Sequence, residues 1–134
     1  MRYRESLWKR LQSINYTRHI IRWNGIASLG FQGWVLHTGM LFDSQKKWWP
    51  SEGKRPTEHE GLDICLFQDD NDNLHELAAP IQVPAAMNGR IVKIMQDFLD
   101  LSVMAYHEAF SDDEWGFYTI YAHTTPEDHI IEGK

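Results

Sequence analysis

From Ile64 onward the apolar residues come in short runs, and that spacing constrains the fold more than any other feature. Ile64–Phe67, Leu101–His107 and Phe117–His123 are four to seven residues long. Runs of that length, bounded by Gly, Pro, Asn or Asp, read as strands rather than helices. Pro80–Ile94 reads as two further short strands around Asn88-Gly89, a hairpin signal. Polar or acidic turns fall at Gln68–His75, Gln96–Leu101 and Ser111–Gly116. The pattern predicts a mainly β, antiparallel domain, α+β by count. A single cysteine, Cys65, excludes an internal disulfide, so packing and hydrogen bonds must hold the sheet. Cys65 itself reads as a small buried hydrophobe.

The pattern changes ahead of His59. Arg4 to about Tyr16 reads as an amphipathic helix, with Leu7, Leu11 and Ile14 at helical spacing, Trp8 widening the stripe, and Lys9, Arg10 and Gln12 opposite. The β-branched residues of Thr17–Ile21 weaken the helical case, and extended backbone is expected there. Phe31–His37 alternates loosely and reads as a strand. Lys46–Pro50 is a turn-rich linker carrying Trp48 and Trp49, and Ser51–Thr57 is a polar loop. This divides the chain into an N-terminal helix and extension, 1–57, and a β domain, 58–134.

The formal net charge of −6 argues against general nucleic-acid binding. Arg2, Arg4, Lys9, Arg10, Arg18 and Arg22 nevertheless crowd the start, a basic face expected to dock on the acidic remainder of its own chain. The first twenty residues contain no apolar core of a secretory signal. Ile26–Phe42 is interrupted by Gln32, His37 and three glycines, so no transmembrane segment is expected.

The chemistry concentrates in His59-Glu60-Gly61-Leu62-Asp63. A His and an Asp four positions apart can face one metal ion if the glycine between them lets the backbone turn tightly. Imidazole with carboxylate suits zinc better than calcium or magnesium, which prefer all-oxygen shells. The apolar run behind the pair reads as a buried strand that holds it rigid. A surface His beside a turn in an unrelated β protein explains the same five residues. Asp69-Asp70-Asn71-Asp72 lacks the ligand spacing of a calcium loop and reads as a solvated turn, with His75 exposed. His37 has no Asp four residues on, and His107, at a strand end, reads as structural. The Asn88-Gly89 turn has no lysine at its tip, which disfavours a biotinyl- or lipoyl-carrier domain.

His59–Asp63, then Val83-Pro84-Ala85-Ala86-Met87-Asn88-Gly89-Arg90-Ile91-Val92, then Thr119-Ile120-Tyr121-Ala122-His123 stand in an order that resembles the lysostaphin-type (LytM-like) zinc metallopeptidases. The resemblance covers about Glu58 to Lys134. It implies an antiparallel LytM-type sheet, Zn2+ as cofactor, His59 and Asp63 as metal ligands, and His123 as the active-site His that handles a proton beside the metal. It implies hydrolysis of peptide bonds in cell-wall peptidoglycan or glycine-rich peptides, and a location at the cell envelope. The family's third ligand comes from a closing His-x-His that does not occur before Lys134. The expectation is therefore a domain incomplete at its C-terminal end, or a non-catalytic, degenerate relative that serves as a binding or regulatory module. His123, His107 or His37 is the alternative source of a third ligand.

Overall fold

The computed structural model describes residues 2–49, 52–77 and 80–134, and the side chains of all of these except Arg2, Tyr3, Arg4 and Trp8. The place of the Trp8 side chain in the helical stripe, and of Pro50 and Ser51 in the linker and loop, lie outside the described residues. Two helices, α1 (Arg2–Gln12) and α2 (Tyr16–Asn24), precede six strands: β1 (Phe31–Val35), β2 (Leu66–Asp69), β3 (Leu74–Glu76), β4 (Arg90–Gln96), β5 (Leu101–Tyr106) and β6 (Tyr118–Thr124). The strands form two antiparallel three-stranded sheets, β1-β2-β3 and β4-β5-β6. The fold is thus mainly β with an N-terminal helical segment, as the apolar spacing implies. No helix among the described residues is long and apolar enough to cross a membrane.

The chain divides into two compact units, Met1–Trp23 with Gln82–Lys134, and Asn24–Ile81. In the second unit β1, from the segment ahead of His59, pairs with β2, from the segment after Asp63. Its core is aromatic. Phe67, 2% exposed, meets Phe31 and Trp34 across the sheet, and the His75 ring stacks on it at 4.8 Å. His75 is therefore a half-buried part of the core, and the exposed position expected for it does not hold. The acidic run also differs from a merely solvated turn. Asp69 is buried and accepts the Asn71 and Asn73 backbone N–H groups and the His75 Nε2–H, which closes the β2–β3 hairpin. These donors, the His75 ring foremost, hold the Asp69 carboxyl below its ordinary pKa.

In the first unit, Thr17–Ile21 is helical rather than extended. Asn15 explains it, because its side-chain oxygen accepts the Arg18 N–H and caps α2. Ile20 then points inward and is buried. Of the basic residues at the start, Arg10 docks within its own unit, on polar and aromatic groups rather than on acidic ones. Arg10 donates to the Ala109 carbonyl at 2.7 Å and lies over the Phe110 ring. Asn88-Gly89 closes no hairpin, since residues 81–89 form no strand and β4 pairs with β5. Gly89 serves close packing instead. A Cβ there would lie 2.5 Å from His107 Nδ1 and 2.6 Å from the Tyr106 carbonyl oxygen.

His107 is fully buried and structural. Its Nδ1–H donates to the Asn88 carbonyl at 2.8 Å, so its Nε2 accepts from the Thr119 hydroxyl, also at 2.8 Å. Thr119 Oγ1 has one proton, and lies 3.2 Å from the Tyr121 hydroxyl, which in turn accepts the Ala86 N–H. Each of these polar groups is satisfied, which is what burial demands. The outer edge of β4 is covered by the chain's last residues. Gly133 N–H and the Lys134 carbonyl bond to Ile91, and Glu132 accepts the Ile94 N–H. Replacing Gly89 by alanine overpacks the His107 ring and is expected to cost about 1–3 kcal/mol. Thermal unfolding checks this, and an unchanged midpoint would show that the Gly89–His107 contact does not constrain the fold.

Candidate metal centre

His59 and Asp63 lie outside regular structure, where the chain passes from the 52–57 loop toward β2. Backbone bonds to the 40–44 segment fix both. His59 N–H donates to the Ser44 carbonyl, Asp43 N–H to the His59 carbonyl, and Asp63 N–H to the carbonyl of the fully buried Met40. Gly61 does not bring the pair together. It stands outside the left-handed region, and a Cβ added there meets nothing within 4 Å. Ile64 and Cys65 precede the strand, which begins at Leu66. The Cys65 thiol pKa is raised by burial and by the Glu76 and Asp63 charges, so it stays protonated and unreactive.

The side chains converge. His59 Nε2 faces Asp63 Oδ1 at 3.2 Å, and the His59 side chain is only 12% exposed. His59 Nδ1 lies 3.0 Å from the Leu41 carbonyl oxygen. A carbonyl only accepts, so Nδ1 carries the proton and Nε2 of the neutral ring turns a lone pair toward the carboxylate. Two acceptors in that position are completed by a positive charge between them, either a proton on Nε2 or a metal ion. Two ligands on a tetrahedral zinc ion, with bonds of roughly 2.0–2.1 Å, stand about 3.3 Å apart. The observed spacing fits two corners of such a site. The carbonyl behind Nδ1 is also the partner that zinc-binding imidazoles ordinarily use.

The other carboxylate oxygen, Asp63 Oδ2, accepts the Trp48 indole N–H at 2.7 Å and lies 3.6 Å from the Arg55 guanidinium. Neither residue stands out as a site residue in the sequence. The only signal for Trp48 is its place in a tryptophan-rich segment that otherwise reads as a loop. Among the described residues, no three His, Cys, Asp or Glu side chains converge on one point. His37 is exposed and His107 is held in the core, so neither joins the pair.

His123 belongs to the other compact unit. It sits at a register shift in β6, where Leu101 pairs with Thr124 and Val103 with Tyr121. Its φ is 59°, a left-handed conformation that costs a non-glycine residue free energy. Asp97, in the β4–β5 turn, over-determines that conformation by taking both His123 donors. Oδ2 accepts the His123 backbone N–H at 2.9 Å, and Oδ1 accepts the ring Nδ1–H at 3.0 Å. Asp97 also accepts the Leu99 and Asp100 N–H groups and the Ser102 hydroxyl. The Asp100 N–H above all, opposed by burial and joined by Ser102 and the two His123 donors, holds the Asp97 carboxyl far below the carboxylate range. An ionised Asp97 can only accept, so the His123 Nδ1 that faces it carries a proton. The Phe98 ring stands edge-on to the imidazole at 4.7 Å. Asp97 carries a recognisable turn signal, an Asp whose side chain caps the next N–H groups, but nothing local links it to His123. A cleft of about 630 Å³ in this unit is lined by Asn88, Gly89, Arg90, Tyr106, Glu108 and Ala109, none of them in the His–Asp pairs.

Two outcomes follow from this geometry. Because folding lowers the Asp97 pKa, its contribution is present above the unfolded carboxylate pKa of about 4 and is lost as the pH falls through the folded value. Asp97→Asn is expected to be less stable at neutral pH, with the difference from the wild type shrinking below about pH 4. Urea midpoints from neutral to acid pH check this, and parallel curves would refute it. Gly61→Ala is expected to leave both the thermal midpoint and zinc binding unchanged, and a loss of either would restore the glycine to the role that the spacing suggests. No family model, curated protein or solved structure matches the chain.

Proposed function

We propose that the chain is a zinc metallopeptidase domain of the lysostaphin type, acting on peptide bonds of cell-wall peptidoglycan. One observation supports the reading above all. Among the described residues there are three Asp–His pairs, Asp69–His75, Asp97–His123 and Asp63–His59. In the first two, a ring N–H donates to the carboxylate. In the third, His59 Nδ1 faces a carbonyl, to which it can only donate, while Nε2 faces the Asp63 carboxylate, a position that a metal ion or a proton completes. That is the arrangement of two metal ligands with their outer partners already in place.

In this reading His59 Nε2 and Asp63 Oδ1 hold Zn2+. When bound there, zinc would supply Lewis-acid chemistry, the activation of a water and the polarisation of a carbonyl. The chain's other contributions are proton handling and orientation. Asp97 fixes His123 in the Nδ1–H tautomer, so that Nε2 can take a proton and return it. The bulge in β6 re-aims the His123 side chain out of the strand alternation. The resemblance supplies the substrate class and the proton-handling role of His123.

Two protein ligands hold zinc weakly, so affinity is expected to be low and hydrolysis slow. Zinc titration by calorimetry is expected to show one weak site, abolished by His59→Ala and by Asp63→Ala. Slow, zinc-dependent cleavage of a glycine-rich peptide by the same protein completes the expected result. Zinc binding without cleavage would assign the chain to the non-catalytic branch, a binding or regulatory module. Absence of zinc binding, or binding that survives both substitutions, would overturn the metal reading itself.

A further inference from the structure

The tryptophan-rich segment ahead of His59 has no role in the reading so far, yet it makes the shortest contact to Asp63. The Trp48 indole N–H donates to Oδ2 at 2.7 Å, and the Arg55 guanidinium approaches the same oxygen at 3.6 Å. Both act on Oδ2, and Oδ1 alone faces His59.

The two donors are themselves held from behind. Arg55 donates through its terminal nitrogen to the Gly39 carbonyl at 2.8 Å and through Nε to the Lys46 carbonyl at 3.0 Å. Its guanidinium lies over the Trp49 ring at 4.7 Å, and its side chain is 14% exposed. The backbone that carries Trp48 packs directly on Gly39. A Cβ at Gly39 would stand 2.7–2.8 Å from atoms of Lys46, Lys47 and Trp48. Trp48 is thus fixed in place, and its N–H is aimed by the backbone.

We infer that Trp48 and Arg55 clamp Asp63 Oδ2 so that Asp63 binds metal through Oδ1 alone, and that this clamp sets both the affinity of the site and its preference for zinc over calcium. The inference rests on the zinc reading above. The physical reason is geometric and electrostatic. A carboxylate free to turn can offer both oxygens to a large, hard cation such as calcium, which accepts bidentate carboxylates in flexible shells of six to eight oxygens. A carboxylate with one oxygen held by donors offers a single oxygen at fixed distance from one imidazole nitrogen, which suits a small tetrahedral ion. The clamp also spares the metal the cost of ordering Asp63 on binding. Arg55 tempers the carboxylate's charge as well, which weakens attraction for hard cations that bind mainly by charge.

The decisive variant is Trp48→Phe, which keeps the ring and removes the N–H, tested as the full chain. Zinc affinity is expected to fall roughly tenfold to a hundredfold, the range typical of lost outer partners. Calcium affinity, measured in parallel with calcium alone, is expected to stay level or rise, so the zinc-to-calcium ratio drops. A merely structural Trp48 would weaken both ions alike. In the wild type the Trp48 indole N–H resonance, assigned by its loss in the variant, is expected to move on zinc addition. Because that readout needs only the wild type, it decides the matter even if the variant fails to fold, the assignment then coming from backbone experiments. Equal zinc affinity in the two proteins, a parallel loss of both ions, or an indole resonance unmoved by bound zinc would overturn the clamp and leave the zinc reading intact. A wild-type chain that binds no zinc would overturn the zinc reading, and the clamp with it.

Discussion

Each turn that matters in this protein is gathered by one aspartate carboxylate. Apolar burial is modest, with Ile20, Ile26, Met40, Phe67, Val103 and Ala105 as the buried hydrophobics among the described residues. Two three-stranded sheets with so little core need their hairpins tied by other means. Asp69 closes β2–β3 and Asp97 closes β4–β5, each by collecting backbone N–H groups that would otherwise lack partners. Each then takes a histidine as its last donor, His75 in one case and His123 in the other. The same device places the imidazoles, so the interaction that closes the fold also fixes which ring nitrogen faces the carboxylate.

Asp63 is the exception, and the difference is chemical. It closes no turn with its side chain and accepts no backbone N–H there. Its partners are side chains, Trp48 and Arg55 on one oxygen and His59 facing the other. Asp69 and Asp97 have their acceptor capacity filled, whereas Asp63 keeps one oxygen turned toward a nitrogen lone pair. A proton on that nitrogen or a metal ion between the two groups would complete the arrangement.

Among the strands after Asp63, β2, β5 and β6 were legible because short apolar runs between polar turns bury as a sheet, whereas β3 lies in a segment that reads as a polar turn. β5 and β6 fall where that spacing places them. The local signals misled where a second force outweighed them. Thr17–Ile21 has β-branched residues, yet the Asn15 cap and the burial of Ile20 make it a helix. Asn88-Gly89 carries a hairpin signature, yet Gly89 is small because the buried His107 ring, eighteen residues on in sequence, presses on it. The motif residues His59 and Asp63 were visible as a pair, but the reason for their approach was not. Gly61 is an ordinary glycine, and the pair is set by backbone bonds to residues 40–44 and by Trp48 and Arg55, contacts that span from 8 to 23 residues in sequence. Spacing within a motif shows nothing of such partners. Asp97 escaped notice for the same reason, since a turn aspartate looks alike whether or not a distant histidine completes it.

The central claim is that His59 presents Nε2, with its proton held at Nδ1, as a metal ligand beside Asp63 Oδ1. The most direct test is a long-range proton–nitrogen correlation spectrum of His59, recorded above the usual imidazole pKa range and with increasing zinc. The expected result is a proton on Nδ1 in the metal-free protein, with zinc shifting Nε2 strongly while Nδ1 keeps its proton. A proton found only on Nε2, donated to Asp63 and undisturbed by zinc, would contradict the assignment and make His59–Asp63 a third structural pair like Asp69–His75.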